Sequence, residues 1–373
     1  MQATNFVRRF RFWSVLTVIS IYLLILVGGV VRATGSGMGC PDWPKCFGQW
    51  VPPTDIRELP ADYKQVYTTQ RVAKNQKLAR TLAGLGFKQV AGEIFAHPTQ
   101  YIETDFNATK TWIEYVNRLL GALIGIFVFI TAIVAIPYWR LDRPVFWLAV
   151  AGWLLTGVQG WLGSLVVSTN LLPIMVTIHM GLALLIVAML LYAVDRAQRK
   201  LEWIQPDESI RNMPQLIDSD QTSVAGLQIL LWFLVFVTFG QIVLGTQVRE
   251  HIDQIASKAN YQGRGNWVGQ LGSVFTVHRS MSVLVALLNG YAAYLLWPLA
   301  NQRLRRLVMA SVASLGLEVI AGISLASFGL PAWLQPVHLT LATLLFGAQF
   351  LTVIAWRQIL TNERKVQLRP AHA

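Results

Sequence analysis

The chain has 373 residues, 54% of them hydrophobic and 13% charged, with a formal net charge of +12 and a mean hydropathy of +0.46. Soluble domains carry about 25% charged residues, so a water-exposed globule is excluded. Nucleic-acid binding is not expected either, because the basic residues cluster in short loops between apolar runs, where membrane topology accounts for them.

Eight runs have the length and the lack of charge to cross a bilayer. They are approximately Phe12–Val31, Leu119–Trp139, Val145–Val167, Ile174–Val194, Val224–Val248, Ser280–Ala300, Leu307–Leu330 and Trp333–Trp356. The first follows Arg8, Arg9 and Arg11. Its apolar run of 20 residues is long for a signal peptide and right for a span. Each run must be a helix, since lipid offers the backbone no hydrogen bonds. The sequence therefore predicts an all-α integral membrane protein with eight transmembrane helices.

Between the first two runs lies the one long extramembrane segment, 35–113. Pro41, Pro44, Pro52, Pro53 and four glycines between 35 and 48 make its start irregular. From Pro60 to Phe87 it reads as one or two Lys-rich helices with a weak apolar stripe. Pro98 and the stretch 103–110 read as a loop leading into the second span. A solvated cap without chemistry is the simplest account of 55–110.

Orientation follows from Arg and Lys. Arg8, Arg9 and Arg11 precede span one, Arg140 and Arg143 follow span two, and Arg196, Arg199, Lys200 and Arg211 follow span four. Arg303, Arg305 and Arg306 follow span six, and Arg357, Arg364, Lys365 and Arg369 follow span eight. The short loops after spans three and seven have no basic residue. Both termini are expected on the cytoplasmic side of a bacterial inner membrane; the long segment 35–113 crosses regardless of its charge.

The chain also repeats itself. Gly28-Gly-Val-Val-Arg32 resembles Gly245-Thr-Gln-Val-Arg249, and Tyr115-Val-Asn117-Arg118 resembles Thr276-Val-His278-Arg279. Pro173 and His179 match Pro331 and His338. Asn117 to His278 is 161 residues, and His179 to His338 is 159. The expected plan is two tandem four-helix bundles in parallel orientation, residues 1–200 and 201–373. By that topology Asn117, His179, His278 and His338 lie near the outer face at one depth, each pair on non-adjacent helices.

An imidazole in an apolar helix is costly and calls for a partner. Two at matching depth on different helices point to axial ligation of one heme iron, here by His278 and His338. Hydrogen-bonded core histidines are the plain alternative, and a zinc pair lacks the ligands for a tetrahedral site. His179 stands alone in its half, because Asn117 offers only a poor iron ligand. Glu114, one turn before Asn117, has Phe275 as its counterpart. It is either an acid at a helix start or a carboxylate beside reaction chemistry. Arg32, Arg118, Arg249 and Arg279, at outer helix ends, either snorkel or pair with heme propionates. Cys40 and Cys46 have the outer position and short spacing expected of a disulfide; a redox-active pair and two separate thiols are the alternatives. His97, His251 and His372 read as surface residues, with His97 or His251 as a reserve ligand.

Two motifs carry a family resemblance. Gly28-Gly-Val-Val-Arg-Ala-Thr-Gly-Ser-Gly-Met-Gly-Cys40, with Trp43 and Pro52-Pro53, resembles the first-span and first-loop signature of the heme A synthase family. Glu114-Tyr-Val-Asn-Arg118 resembles its Glu-x-x-His-Arg element, with Asn117 where the family commonly has His. The resemblance covers nearly the whole chain. It implies heme b in the C-terminal half, ligated by His278 and His338, and the substrate heme O in the N-terminal half, bound through His179. It implies Glu114 as the catalytic carboxylate and an outer-loop disulfide at Cys40 and Cys46. The implied reaction oxidises a porphyrin methyl group to a formyl group by successive hydroxylations, with a heme O synthase and an unidentified electron donor or acceptor as partners. A non-catalytic di-heme cytochrome fed by quinol is the alternative. Glu114, present in one half only, and the single-histidine first site favour the enzyme. A solute transporter fits less well, because the polar residues lie at the outer face rather than the midplane.

Overall fold

The computed structural model describes residues 2–96, 102–169, 171–204, 221–259 and 262–367. His97, Pro98, Arg211, Arg369 and His372 lie outside them, as do the side chains of Lys200, Arg364 and Lys365. The helices are α1 Gln2–Ala33, α2 Tyr63–Gly84, α3 Lys88–Glu93, α4 Ala108–Val134, α5 Tyr138–Leu141 and α6 Arg143–Ser168. They continue with α7 Pro173–Ile204, α8 Gln221–Lys258, α9 Ser273–Leu296, α10 Gln302–Ser327 and α11 Leu334–Gln367. Eight of them, α1, α4 and α6 to α11, are long and apolar enough to span a membrane. Among the described residues there is no β-strand, only a bridge between Cys46 and Gln49. The chain is a multi-pass, all-α membrane protein.

The helix boundaries have local causes. Asn107 caps α4 by accepting from the Lys110 N–H at 3.0 Å, and Asn301 caps α10 by accepting from Leu304 at 2.8 Å. Prolines open α6 and α7, where a missing N–H costs nothing. The turns after α6 and α10 close alike. Leu171 and Leu330 adopt φ values of 63° and 60°, and donate back to Val166 (2.8 Å) and Leu325 (2.9 Å). Both are helix-ending left-handed turns, built without glycine at the left-handed leucine.

Spans one to four, α1, α4, α6 and α7, pack in a closed ring, each against the next and the fourth against the first. Spans five to eight, α8 to α11, form a second ring of the same order. Second and fourth spans therefore face each other across each ring. The rings meet mainly through α1 against α11, with α7 touching both α8 and α11. α11 is the most buried span, at 44% of its apolar window. The outward faces present Leu123, Ile126, Phe129, Ile320 and Ile323, large apolar side chains left exposed for lipid.

Close approach at the ring boundary depends on two glycines. A Cβ on Gly29 would lie 2.8 Å from Pro336 Cβ, and one on Gly347 would overlap the Tyr22 hydroxyl. Ion pairs lock both ends. At the end that carries the cap, Asp253 pairs with Arg249 at 2.7 Å and with Arg32 at 3.4 Å. On the other side buried Asp195 of α7 takes Arg199 at 2.9 Å, Arg303 of α10, and Gln358 of α11 at 3.0 Å.

The segment before α4 forms a cap over the first ring. α2 and α3 cover the end of α6 and the start of α7 through Leu78, Leu82, Ile94, Leu172 and Met175. Asn75 donates to the Ser168 carbonyl at 3.0 Å. Arg71 and Glu103, each 2% exposed, pair at 2.7 Å and tie α2 to the stretch before α4. Burial raises the Glu103 carboxyl above its usual range, against the opposing pull of Arg71.

Candidate functional site

Cys40 and Cys46 are joined in a disulfide, as the sequence suggests. The loop they close sits on the start of α4. Asp42 accepts from the N–H groups of Phe47 (2.7 Å) and Gly48 (2.9 Å). Gly39 lies so close to α4 that a Cβ would stand 2.7 Å from the Lys110 backbone. Thr111 donates to the Gly39 carbonyl at 2.8 Å.

Glu114 and Arg118 fasten this loop from below. Glu114 is 3% exposed and accepts from the Cys40 N–H at 3.0 Å. Arg118 donates to Glu114 from Nε at 3.1 Å and also from Nη2. Its remaining N–H groups reach the carbonyls of Asp42 (2.6 Å), Cys40 (3.1 Å) and Lys45 (3.1 Å). A guanidinium fork has enough donors for all of these at once. Glu114 is thus an ion-paired anchor at the mouth of the first ring.

The four outer arginines divide accordingly. Arg118 is committed to the disulfide loop, and Arg32 and Arg249 share Asp253. Arg249 also donates to the Arg32 carbonyl at 3.2 Å. Arg279 alone of the four is exposed and forms no ion pair among the described residues.

His179, His278 and His338 are half-buried and similarly placed in their rings. The Nδ1 atoms of His179, His278 and His338 are buried without a hydrogen-bond partner. Each ring edge faces a glycine of the preceding span in its own ring. A Cβ on Gly163 would lie 3.5 Å from His179 Cε1, on Gly245 3.4 Å from His278 Cε1, and on Gly322 3.3 Å from His338 Cε1. Asn117 occupies the corresponding place, with its unpaired Oδ1 4.0 Å from a Cβ on Gly28. His278 and His338 lie on facing spans of the second ring. His251 is not brought to either ring interior; its Nδ1 lies 3.0 Å from the Gln247 carbonyl of its own helix.

Sequence reasoning missed the residues four positions before these glycines. Gln159 donates to the His179 carbonyl at 2.9 Å, and Gln241 donates to the His278 carbonyl at 2.8 Å. Glu318 lies 3.1 Å from His338 Nδ1. The signal was present: the 159-residue offset that relates His179 to His338 also relates Gln159 to Glu318 and Gly163 to Gly322.

Residues 11–83 and 87–350 match the family model of the cytochrome oxidase assembly protein family COX15-CtaA. The chain belongs to that family. It is 25% identical to a heme A synthase of Shewanella oneidensis over 353 residues, 87% of this chain and 89% of that one. It is 27% identical to a heme A synthase of Bradyrhizobium sp. over 251 residues, 64% of this chain and 56% of the relative. A heme A synthase of Rhizobium johnstonii is 28% identical over 167 residues, 44% of this chain and 38% of the relative. The resemblance read from Gly28–Cys40 and Glu114–Arg118 is borne out by these matches.

Proposed function

We propose that this COX15-CtaA member is a heme A synthase, oxidising a methyl group of heme O to a formyl group by successive hydroxylations. The carrying observation is that the two rings are alike in plan and unlike in equipment. The second ring sets two half-buried imidazoles on facing spans, with Arg279 uncommitted beside His278. The first sets one imidazole opposite an amide, with a buried carboxylate at its mouth. A carrier of electrons alone would need two equivalent hemes; an enzyme needs one redox heme and one substrate site.

The donor set of the second ring fits a heme b. Two imidazoles on facing spans are the ligands a low-spin iron takes. His278 and His338 would hold it, and Arg279 would pair with a propionate. Bound there, heme b supplies one-electron redox chemistry. In the first ring His179 would hold heme O, and Asn117 leaves the opposite position weakly ligated.

Glu114 would act on the substrate. Its carboxylate is fixed by Arg118 and by the Cys40 N–H before any substrate arrives. Such preorganisation suits stabilising positive charge at the reacting methyl carbon. Accepting a proton from an attacking water is the other role open to it. The matching αL leucines, Gly–His contacts and 159-residue offset support the tandem, parallel-repeat reading, with residues 1–200 as the substrate half and 201–373 as the heme b half. The basic ends of the spans support cytoplasmic termini in a bacterial inner membrane. A heme O synthase upstream and a separate electron partner complete the scheme.

Extraction and mass analysis of hemes from cells expressing the chain with a heme O synthase tests this reading. The expected result is a formyl porphyrin absent from cells with the synthase alone. Accumulation of heme O with no formyl product would overturn it.

A further inference from the structure

The hairpins carrying His179 and His338 are built alike, except at one atom pair. Each places a polar side chain four residues before the glycine that faces the imidazole. In the first ring this is Gln159, whose amide donates to the backbone carbonyl of His179 at 2.9 Å. Gln241 serves the His278 carbonyl in the same way, at 2.8 Å. In the α10–α11 hairpin it is Glu318, which has no N–H to give. Its Oε1 lies instead 3.1 Å from the ring nitrogen Nδ1 of His338. The separation is that of a hydrogen bond, though the pair does not meet the full geometry of one and Nδ1 stays unpaired. Of His179, His278 and His338, only His338 has a carboxylate against its ring among the described residues.

A carboxylate inside a span is costly and is kept for a function. Glu318 sits within α10, its side chain 15% exposed, and forms no ion pair with Lys or Arg among the described residues. Its sole close partner is the histidine.

We propose that Glu318 is a positioning residue for His338: it accepts the Nδ1–H, fixes that tautomer, and leaves Nε2 as the donor to iron. The inference rests on the heme reading of the second ring. A metal-bound histidine usually donates its other ring N–H to a carboxylate, carbonyl or water, and a carboxylate raises the basicity of the ligand. His338 is then the stronger of the two axial donors, and the ferric state of the second-ring heme is favoured. His179, with Gln159 turned to its backbone, receives no such push. Gln159 against Glu318 is thus a further difference that tunes the substrate site and the heme b site apart, beside Asn117 against His278.

The test is a redox titration of the purified, heme-loaded full chain, read from its low-spin optical bands, with Glu318→Gln and Glu318→Ala beside the parent. Both variants should shift the reduction equilibrium toward the ferrous state by about tenfold, which is 59 mV for one electron. The electron paramagnetic resonance signal of the bis-histidine heme should shift with it. Glu318→Gln keeps the shape of the side chain, so it decides the matter if Glu318→Ala does not assemble. A parent-like potential in Glu318→Gln overturns the role of Glu318 while the heme reading stands. A parent protein with no low-spin heme overturns the reading beneath it, and this proposal as well.

Discussion

Glu114 and Arg118 form the pair on which the first ring's chemistry turns, and they serve two ends that variants can separate. Removing one partner of a buried ion pair costs about 3–5 kcal/mol. Arg118→Ala should therefore free the loop that Arg118 holds at Cys40, Asp42 and Lys45, seen as faster proteolytic nicking near residues 40–50. Glu114→Gln keeps an acceptor for the Cys40 N–H and loses the charge. Loop protection should survive in it while heme A output falls about 10²–10⁴-fold, the range for a positioned carboxylate. Parent-level heme A from Glu114→Gln would reduce Glu114 to a loop anchor. Asn117→His should add an axial ligand and turn the first-site heme low-spin, read from its optical spectrum. A polar residue in an apolar run is conspicuous, so the histidines, Asn117 and Glu114 were legible in the sequence. The partners of Arg118 were not. Its carbonyl acceptors lie more than seventy residues away in the chain, and no local pattern encodes such contacts.

At the scale of the element, each candidate ligand depends on a glycine one helix away. Gly322 and His338 are so close that even a methyl group is tight, at 3.3 Å. Gly322→Leu should displace the imidazole and lose the low-spin heme as His338→Ala does, measured as heme per protein. Gly163→Ala, at an ordinary 3.5 Å from His179, should retain the parent heme content. Gly39→Ala meets backbone at 2.7 Å, which a side-chain shift cannot relieve. It should undock the disulfide loop from α4 at a cost of about 1–3 kcal/mol. The disulfide itself closes a short loop, worth about 2–3 kcal/mol of unfolded-chain entropy. Hydropathy located all eight spans but misjudged their ends. Span five was expected to stop at Val248, yet α8 runs to Lys258. Beyond the lipid its turns are held by polar pairs, Arg249 with Asp253 at 2.7 Å and Gln254 with Glu250 at 3.1 Å. A count of apolar residues cannot see these. Span six likewise begins at Ser273, which places His278 in the second turn of α9.

The two rings of the molecule are fastened at Gly29 against Pro336, Gly347 against Tyr22, Asp253 with its arginines, and Asp195 with Arg303 and Gln358, among other contacts. Gly29→Ala drives a methyl group to 2.8–2.9 Å from Pro336, which is stiff. The rings should separate at that point, lowering the Tm in detergent. An unchanged Tm would show that the boundary can give. That the chain makes two similar halves was legible from the matched offsets of 161 and 159 residues. How the halves meet was not, because Gly29, Tyr22 and Gly347 look like any residues of an apolar span. The central claim is that the rings are unequal, with a bis-histidine heme in the second only. The most direct measurement is the low-spin spectrum of the purified protein in three single variants. The account predicts that His278→Ala and His338→Ala each abolish the bis-histidine signal and that His179→Ala leaves it intact. A signal that persists in both His278→Ala and His338→Ala, or that vanishes in His179→Ala, would contradict it.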